Sequence, residues 1–336
     1  MNDYNYIPNF INNILTPDIL YFNRVKDYMY TDDWRWDYSK LNDLKKYKLV
    51  IADFSREHYG QDTIKYAYDI LTNNGINFIL LSFDSKDHLT KPNLLFYPHW
   101  YYRTKENITH QYSNDQLATI VDNNINTIEK KYLVSCLNGN SRNHRIYNYV
   151  KLREKSYIDQ CLITMFNTDC FRSDEILLSD EILKFWNIEK LKLSCDYSNV
   201  SWYNINQEAY TNSYVNLVTE TVTSTKVYLS EKTWKTIASG QLALIIGCTD
   251  SIAELRNFGV DVFDDVIDHG AYDQIDNPIE RIDYAHTVLD KLLKDIHNLN
   301  QLTQARRKQN IDNFFLENLK VKDYKTYLLD SIKQLS

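Results

Sequence analysis

The chain has 336 residues, 43% of them hydrophobic and 25% charged, and a formal net charge of -7. That length suits two domains of ordinary size with packed cores, and the acidic balance argues against life on a polyanion, a local basic groove aside. Five cysteines at 136, 161, 170, 195 and 248 lack CxxC spacing and read as buried thiols of a reducing compartment. The opening "MNDYNYIPNF" has an acid and no apolar core, unlike a signal peptide, and no apolar run approaches the roughly 20 residues that span a bilayer. A soluble, cytoplasmic protein is expected.

The first 45 residues are aromatic and weakly periodic, and "TDDWRWDY" (31–38) suggests a loop or a helix start. "KLVIADFS" (48–55) reads as a buried strand ending in an acid, and "DTIKYAYDILTNNG" (62–75) as a helix stopped by Gly75. "INFILLSFD" (76–84) and "NLLFYPHWYY" (93–102) supply two further strands, the latter broken by Pro98. Strand, helix, strand in this order predicts a parallel α/β sheet. "NDQLATIVDNNINTIEK" (114–130) then leads out as a helix.

The pattern restarts near residue 131. Strands are expected in "KYLVSCLNGN" (131–140), "DQCLITMFN" (159–167), "SYVNLVTET" (213–221), "QLALIIG" (241–247) and, last and short, "VDVFDD" (260–265). Helices are expected in "RNHRIYNYVKLREK" (142–155), "SDEILLSDEILKFW" (173–186), "SEKTWKTIASG" (230–240), "DSIAELRNFG" (250–259) and from Asn277 onward. The fold class is therefore α/β, with two Rossmann-like units split near residue 130 and a helical C-terminal tail. Facing units of this kind would bind a ligand at the carboxyl ends of their strands.

Two clusters carry candidate chemistry. In "YLSEKTWKTIASG" (228–240), Ser230 suits an N-cap, and Trp234, Ile237 and Ala238 share one face. Glu231 and Lys232 then fall in the first turn, where free amide hydrogens and the positive dipole end favour a phosphate. Lys232 would add a full charge there, and Glu231 could accept from neighbouring sugar hydroxyls. The plainer alternative is a dipole partner beside a solvated lysine. Glu220, at the end of the preceding strand, converges on the same edge or is a solvated loop acid. In "SCLNGNSRNHRIY" (135–147), Asn138 lies in the turn, and Arg142, His144 and Arg145 crowd a helix start where cations are disfavoured unless an anion sits there. A surface basic turn is the alternative. Neither a Walker loop nor a GxGxxG fingerprint is present.

The stretch "VTETVTSTKVYLSEKTWKTIASGQLALIIG" resembles the donor-binding motif of family 10 glycosyltransferases, the α-1,3-fucosyltransferases, and "SCLNGNSRNHRIYNYV" resembles their strand–Asn–Arg–helix element. Fucosyltransferase-like enzymes of phages, large viruses and bacteria are similar. The resemblance is close over about 35 residues and looser over residues 130–270. It implies a GT-B fold, with residues 1–130 on the acceptor side, 131–300 binding a nucleotide sugar, most often a GDP-sugar, and 301–336 packing back on the first domain. It also implies inversion at the sugar carbon without a catalytic metal, no permanently bound cofactor, and a glycan acceptor. By motif, Glu220 and Glu231 would meet sugar and ribose hydroxyls. Lys232 and either Arg142 or Arg145 would hold the diphosphate, Tyr228 would line the nucleoside pocket, and Asn138 and Ser230 are counted among the donor-binding residues. Thr221 stands where the family usually has Asn.

Transfer with inversion needs a base for the acceptor hydroxyl and positive charge for the departing diphosphate. Base candidates in the first unit are Asp53, Glu57, His58, Asp84, His99 and Glu106, with Asp53, His99 and Glu57 foremost; "HWYY" (99–102) could stack on a sugar or belong to the core. Two rival functions remain at this level: a transferase acting on modified DNA bases, which needs a basic track, and a nucleotide- or carbohydrate-binding module without catalysis.

Overall fold

A computed structural model of the chain describes residues 7, 9–22, 38–55, 61–82, 91, 93–139, 141–165, 176–189, 204–223 and 227–335. The chain forms two compact units, Met1–Arg103 with Lys320–Ser336, and Thr104–Leu319.

The first unit contains α1 (Asn9–Asn12), β1 (Ile19–Phe22), α2 (Tyr38–Leu44), β2 (Leu49–Asp53), α3 (Gln61–Asn73), β3 (Phe78–Ser82) and β4 (Leu94–Phe96). The four strands are parallel and lie in chain order, with Val50 opposite Phe78 in the central pair. Every residue of β2, β3 and β4 is buried, as expected of strands covered on both faces, which read as continuous apolar runs. Phe22, Leu44, Val50, Phe54, Leu71 and Leu80 belong to the core beneath α2 and α3.

Helix α4 (His99–Gln111) bridges the boundary at Arg103. The second unit continues with α5 (Asn114–Asn126), β5 (Tyr132–Leu137), α6 (Asn143–Arg153), β6 (Cys161–Thr164), α7 (Asp180–Glu189), α8 (Glu208–Thr211) and β7 (Ser213–Thr219). It ends with α9 (Glu231–Ser239), β8 (Leu242–Ile246), α10 (Ser251–Phe258), α11 (Pro278–Leu293), α12 (Ile296–Leu302) and α13 (Gln304–Phe315). Its sheet is parallel in the order β6-β5-β7-β8. The order reverses between β5 and β7; in open parallel α/β sheets such a reversal is where the connections diverge to opposite faces and ligands bind at the carboxyl ends of the strands. The first sheet has no such reversal among its described strands.

The unit boundary falls after Arg103, not near residue 130, because α5 is bound into the second unit. Asn124 Nδ2 donates to the carbonyl of Ser239 at 3.1 Å, and Gln304 Nε2 donates to that of Ile125 at 3.3 Å. Of the C-terminal tail, α13 stays with the second unit, whereas α14 (Val321–Leu335) belongs to the first. There Tyr102 Oη donates to the Val321 carbonyl at 3.0 Å, and the rings of Phe96 and Tyr324 meet edge to face at 4.7 Å.

Three expected elements differ. The run 93–102 is strand only to Phe96. Pro98 cannot continue the ladder, and its carbonyl accepts from the amides of Tyr101 and Tyr102, so "HWYY" opens α4. The stretch 260–265 is not a strand: Asn310 donates to the Asp261 carbonyl at 2.7 Å and accepts from the Asp261 amide at 3.0 Å, taking the place of a ladder partner. Helix α7 starts at Asp180, where the Ser179 hydroxyl accepts from the amide of Ile182 at 3.4 Å; residues 176–179 precede it without helix. Among the described residues no helix is long and apolar enough to cross a membrane.

Candidate anion site at the carboxyl end of the second sheet

All seven residues of β7 are buried, and the ladder extends one step beyond it, the Glu220 amide donating to the Ile246 carbonyl at 2.9 Å. Glu220 is fully buried. Its Oε1 accepts from the Ser230 amide at 2.9 Å and from the Thr233 hydroxyl at 2.6 Å. Ser230 is extended (φ -82°, ψ -179°) and caps α9, its Oγ accepting from the Lys232 amide at 3.3 Å. Eight of the nine residues of α9 are buried. Trp234 packs between Phe258 and Phe314, with ring centroids 5.9 and 6.3 Å away. At the far end Gly240 adopts φ 70° and Arg307 Nη1 donates to its carbonyl at 2.8 Å, a cation at the negative pole of the helix.

The first turn gathers charge. Lys232 Nζ lies 3.6 Å from Glu231 Oε1, and the Lys232 side chain keeps 12% of its surface exposed. Burial lowers the pKa of Lys232; the carboxylates of Glu231 and Glu220 oppose this, while Arg145 and Lys235 add to it. For Glu231, burial pushes upward, but Lys232, Lys235 and Arg145 outweigh it and hold the carboxyl below its ordinary value. Lys235 is pushed down to about 8 by burial against the pull of Glu231, its ammonium 5.2 Å above the Tyr210 ring. Three cations and two carboxylates therefore share this end of the sheet.

The second cluster arrives from β5. The Asn138 amide donates to the Thr164 carbonyl at 3.0 Å; its side chain accepts from the Thr219 hydroxyl and turns Nδ2 to the Cys136 sulfur at 3.3 Å. Asn138 thus stitches strands together. Arg142 is the N-cap residue of α6, and its Nη1 donates to the Thr221 carbonyl at 2.7 Å. Arg145 Nη2 donates to the Glu220 carbonyl at 3.2 Å, and His144 Nε2 meets the same oxygen at 2.9 Å. Cations at this helix start therefore satisfy the carbonyls where β7 ends, a reason for their presence that spacing alone does not reveal. Arg145 is the arginine whose charge acts on Lys232 and Glu231. Tyr228 is buried, and burial raises the Cys136 thiol beneath the cluster to about 11.

Arg281 escaped the sequence reading. It is 2% exposed and donates to the carbonyls of Thr223 (2.8 Å), Ile275 (2.7 Å), Asp276 (3.0 Å) and Gly247. It ties the connection after β7 and the end of β8 to the start of α11. The available signal was its register: 281, 285, 288 and 292 share the buried stripe of α11. Gly247 is needed alongside, since a Cβ there would stand 2.7 Å from Ser251 Oγ and 3.4 Å from Glu220 Cγ.

In the first unit Asp53 and His99 come together. Both are buried, with His99 Nδ1 at 3.7 Å from Asp53 Oδ2. Tyr21 donates to the same oxygen at 2.6 Å, and the amide of Ser55 donates to Oδ1 at 2.9 Å, with the Ser55 hydroxyl on it too. Asp53 is thus an anchored acceptor that orients its neighbours. Glu57, His58 and Asp84 lie outside the described residues. No protein-family model matches the chain, and no curated protein matches it.

Proposed function

We propose that the second unit binds a nucleoside-diphosphate sugar and that the protein is an inverting glycosyltransferase of GT-B type, moving fucose or a similar hexose from a GDP-sugar to a glycan hydroxyl. The observation that supports this is the arrangement of Lys232 and Arg145 at the amino end of α9, where the helix dipole is positive, at the strand-order reversal of the sheet. A diphosphate bound there relieves the mutual repulsion of the cations and gains the amides of the first turn. As the bond to the sugar breaks, charge builds on the diphosphate, and the same groups stabilise it without a metal ion. Glu231 is the carboxylate placed to accept from ribose or sugar hydroxyls. The base for the acceptor hydroxyl is assigned to the first unit, where Asp53 and His99 lie 3.7 Å apart.

The test is a thermal-shift screen with GDP, UDP, CDP and their hexose conjugates. A ligand at a hundredfold excess over Kd stabilises by about 2.7 kcal/mol. Lys232→Ala is expected to abolish the GDP-induced shift; it also leaves the buried Glu231 carboxylate without its partner and lowers the ligand-free Tm, so the shift is read against the variant's own ligand-free Tm. A Lys232→Ala protein with a full shift refutes the site.

A further inference from the structure

We infer that Glu220 is a positioning residue, which holds the two halves of the anion site together through bonds within the protein. The inference rests on the donor-site reading above and changes the part Glu220 plays in it, from a ligand contact to a clamp.

Five hydrogen bonds converge on this residue from three elements. Its amide joins the end of β8 through the Ile246 carbonyl. Its carbonyl takes His144 at 2.9 Å and Arg145 at 3.2 Å, both from α6. Its Oε1 takes the Ser230 amide at 2.9 Å and the Thr233 hydroxyl at 2.6 Å, at the mouth of α9. The carboxylate thereby closes the connection between β7 and α9 on itself. It fixes where the first-turn amides point relative to Arg145, the two components that a diphosphate would bridge. A carboxylate suits this task because a hydrogen bond to an ionised acceptor is roughly twice as strong as a neutral one. Its complete burial, with Gly247 packed against its stem, leaves it no face toward solvent.

A contact residue and a clamp respond differently to the ligand chosen. Inorganic pyrophosphate has no ribose, so a residue that touches ribose or sugar hydroxyls does not affect its binding. A residue that sets the geometry of Arg145 and the helix mouth affects pyrophosphate and GDP alike. The experiment titrates both into the wild-type protein, Glu220→Leu and Thr233→Val by calorimetry, and follows amide hydrogen exchange at Ser230. The expected result is an equal loss for the two ligands, about tenfold or more in Glu220→Leu and smaller in Thr233→Val, with faster exchange at Ser230 in Glu220→Leu. Thr233→Val removes one hydroxyl and keeps the ligand comparison readable if the leucine variant does not fold. Loss of GDP with pyrophosphate retained would overturn the clamp in favour of direct contact, as would unchanged exchange at Ser230. A wild-type protein that binds neither ligand sinks the donor-site reading, and exchange at Ser230 then decides the clamp by itself.

Discussion

Substituting Gly240 by alanine isolates how tightly α9 is seated. Gly240 sits at φ 70°, and a Cβ built there would stand 2.7 Å from Ile311 Cδ1 and 2.8 Å from Ile125 Cδ1. The left-handed backbone costs a non-glycine residue about 1–2 kcal/mol. Forcing two buried methyl groups aside adds about 1–3 kcal/mol, as overpacking generally does. Gly259 provides the internal control: it ends α10 at φ 87°, and nothing lies within 4 Å of its Cβ position. Gly259→Ala therefore carries only the backbone term, and any stabilisation from restricting the unfolded chain is shared by both variants. Urea unfolding followed by circular dichroism should place Gly240→Ala below Gly259→Ala by about 1–3 kcal/mol. Equal stability of the two would mean that Ile125 and Ile311 yield freely and that the seat of α9 is loose.

Two further outcomes are expected. His269 is buried, bonded to Tyr272 Oη at 2.8 Å and to the Val262 carbonyl at 2.9 Å, and burial lowers its pKa from 6.5 to about 4. Between those values the unfolded chain takes up a proton that the folded one refuses, so its contribution to stability is lost as pH falls through that window. Urea midpoints measured from pH 7 to pH 4 should fall less steeply in His269→Gln than in wild type; parallel curves would contradict the assignment. Arg281→Met strips donors from four carbonyls, among them those of Thr223 and Gly247, and should lower unfolding stability by about 3 kcal/mol or more. A loss below about 1 kcal/mol would show that water replaces the guanidinium.

The central strands were legible because strands covered on both faces are largely apolar: Leu49–Ala52 of β2, Phe78–Leu81 of β3 and all of β8 are unbroken apolar runs, and in β7 Tyr214, Val215, Leu217 and Val218 flank Asn216. The mouth of α9 was legible because Ser230 caps it by local chemistry. Strand β1 was missed: its four residues carry no period, and their pairing with β2 is tertiary. The expected strand at 260–265 failed because Asn310, distant in sequence, occupies its hydrogen-bonding groups, while Phe263 turns to φ 63°. Within the site, the residue types at the crevice were readable but their partners were not. Arg142 and Arg145 look like anion ligands in a one-dimensional reading, yet each also serves a carbonyl about 75 to 80 positions downstream. Asp53 and His99, weighed as separate candidates, prove to be neighbours.

The first unit is assembled from two separate pieces of chain, while the second is one continuous stretch. A ribosome therefore delivers every residue of the second unit before it delivers α14, and domains generally fold as units during synthesis. The earlier of the first unit's two pieces must wait, holding open the place that Val321–Leu335 will fill, and a stop codon shortly after residue 319 would injure the first unit rather than the second.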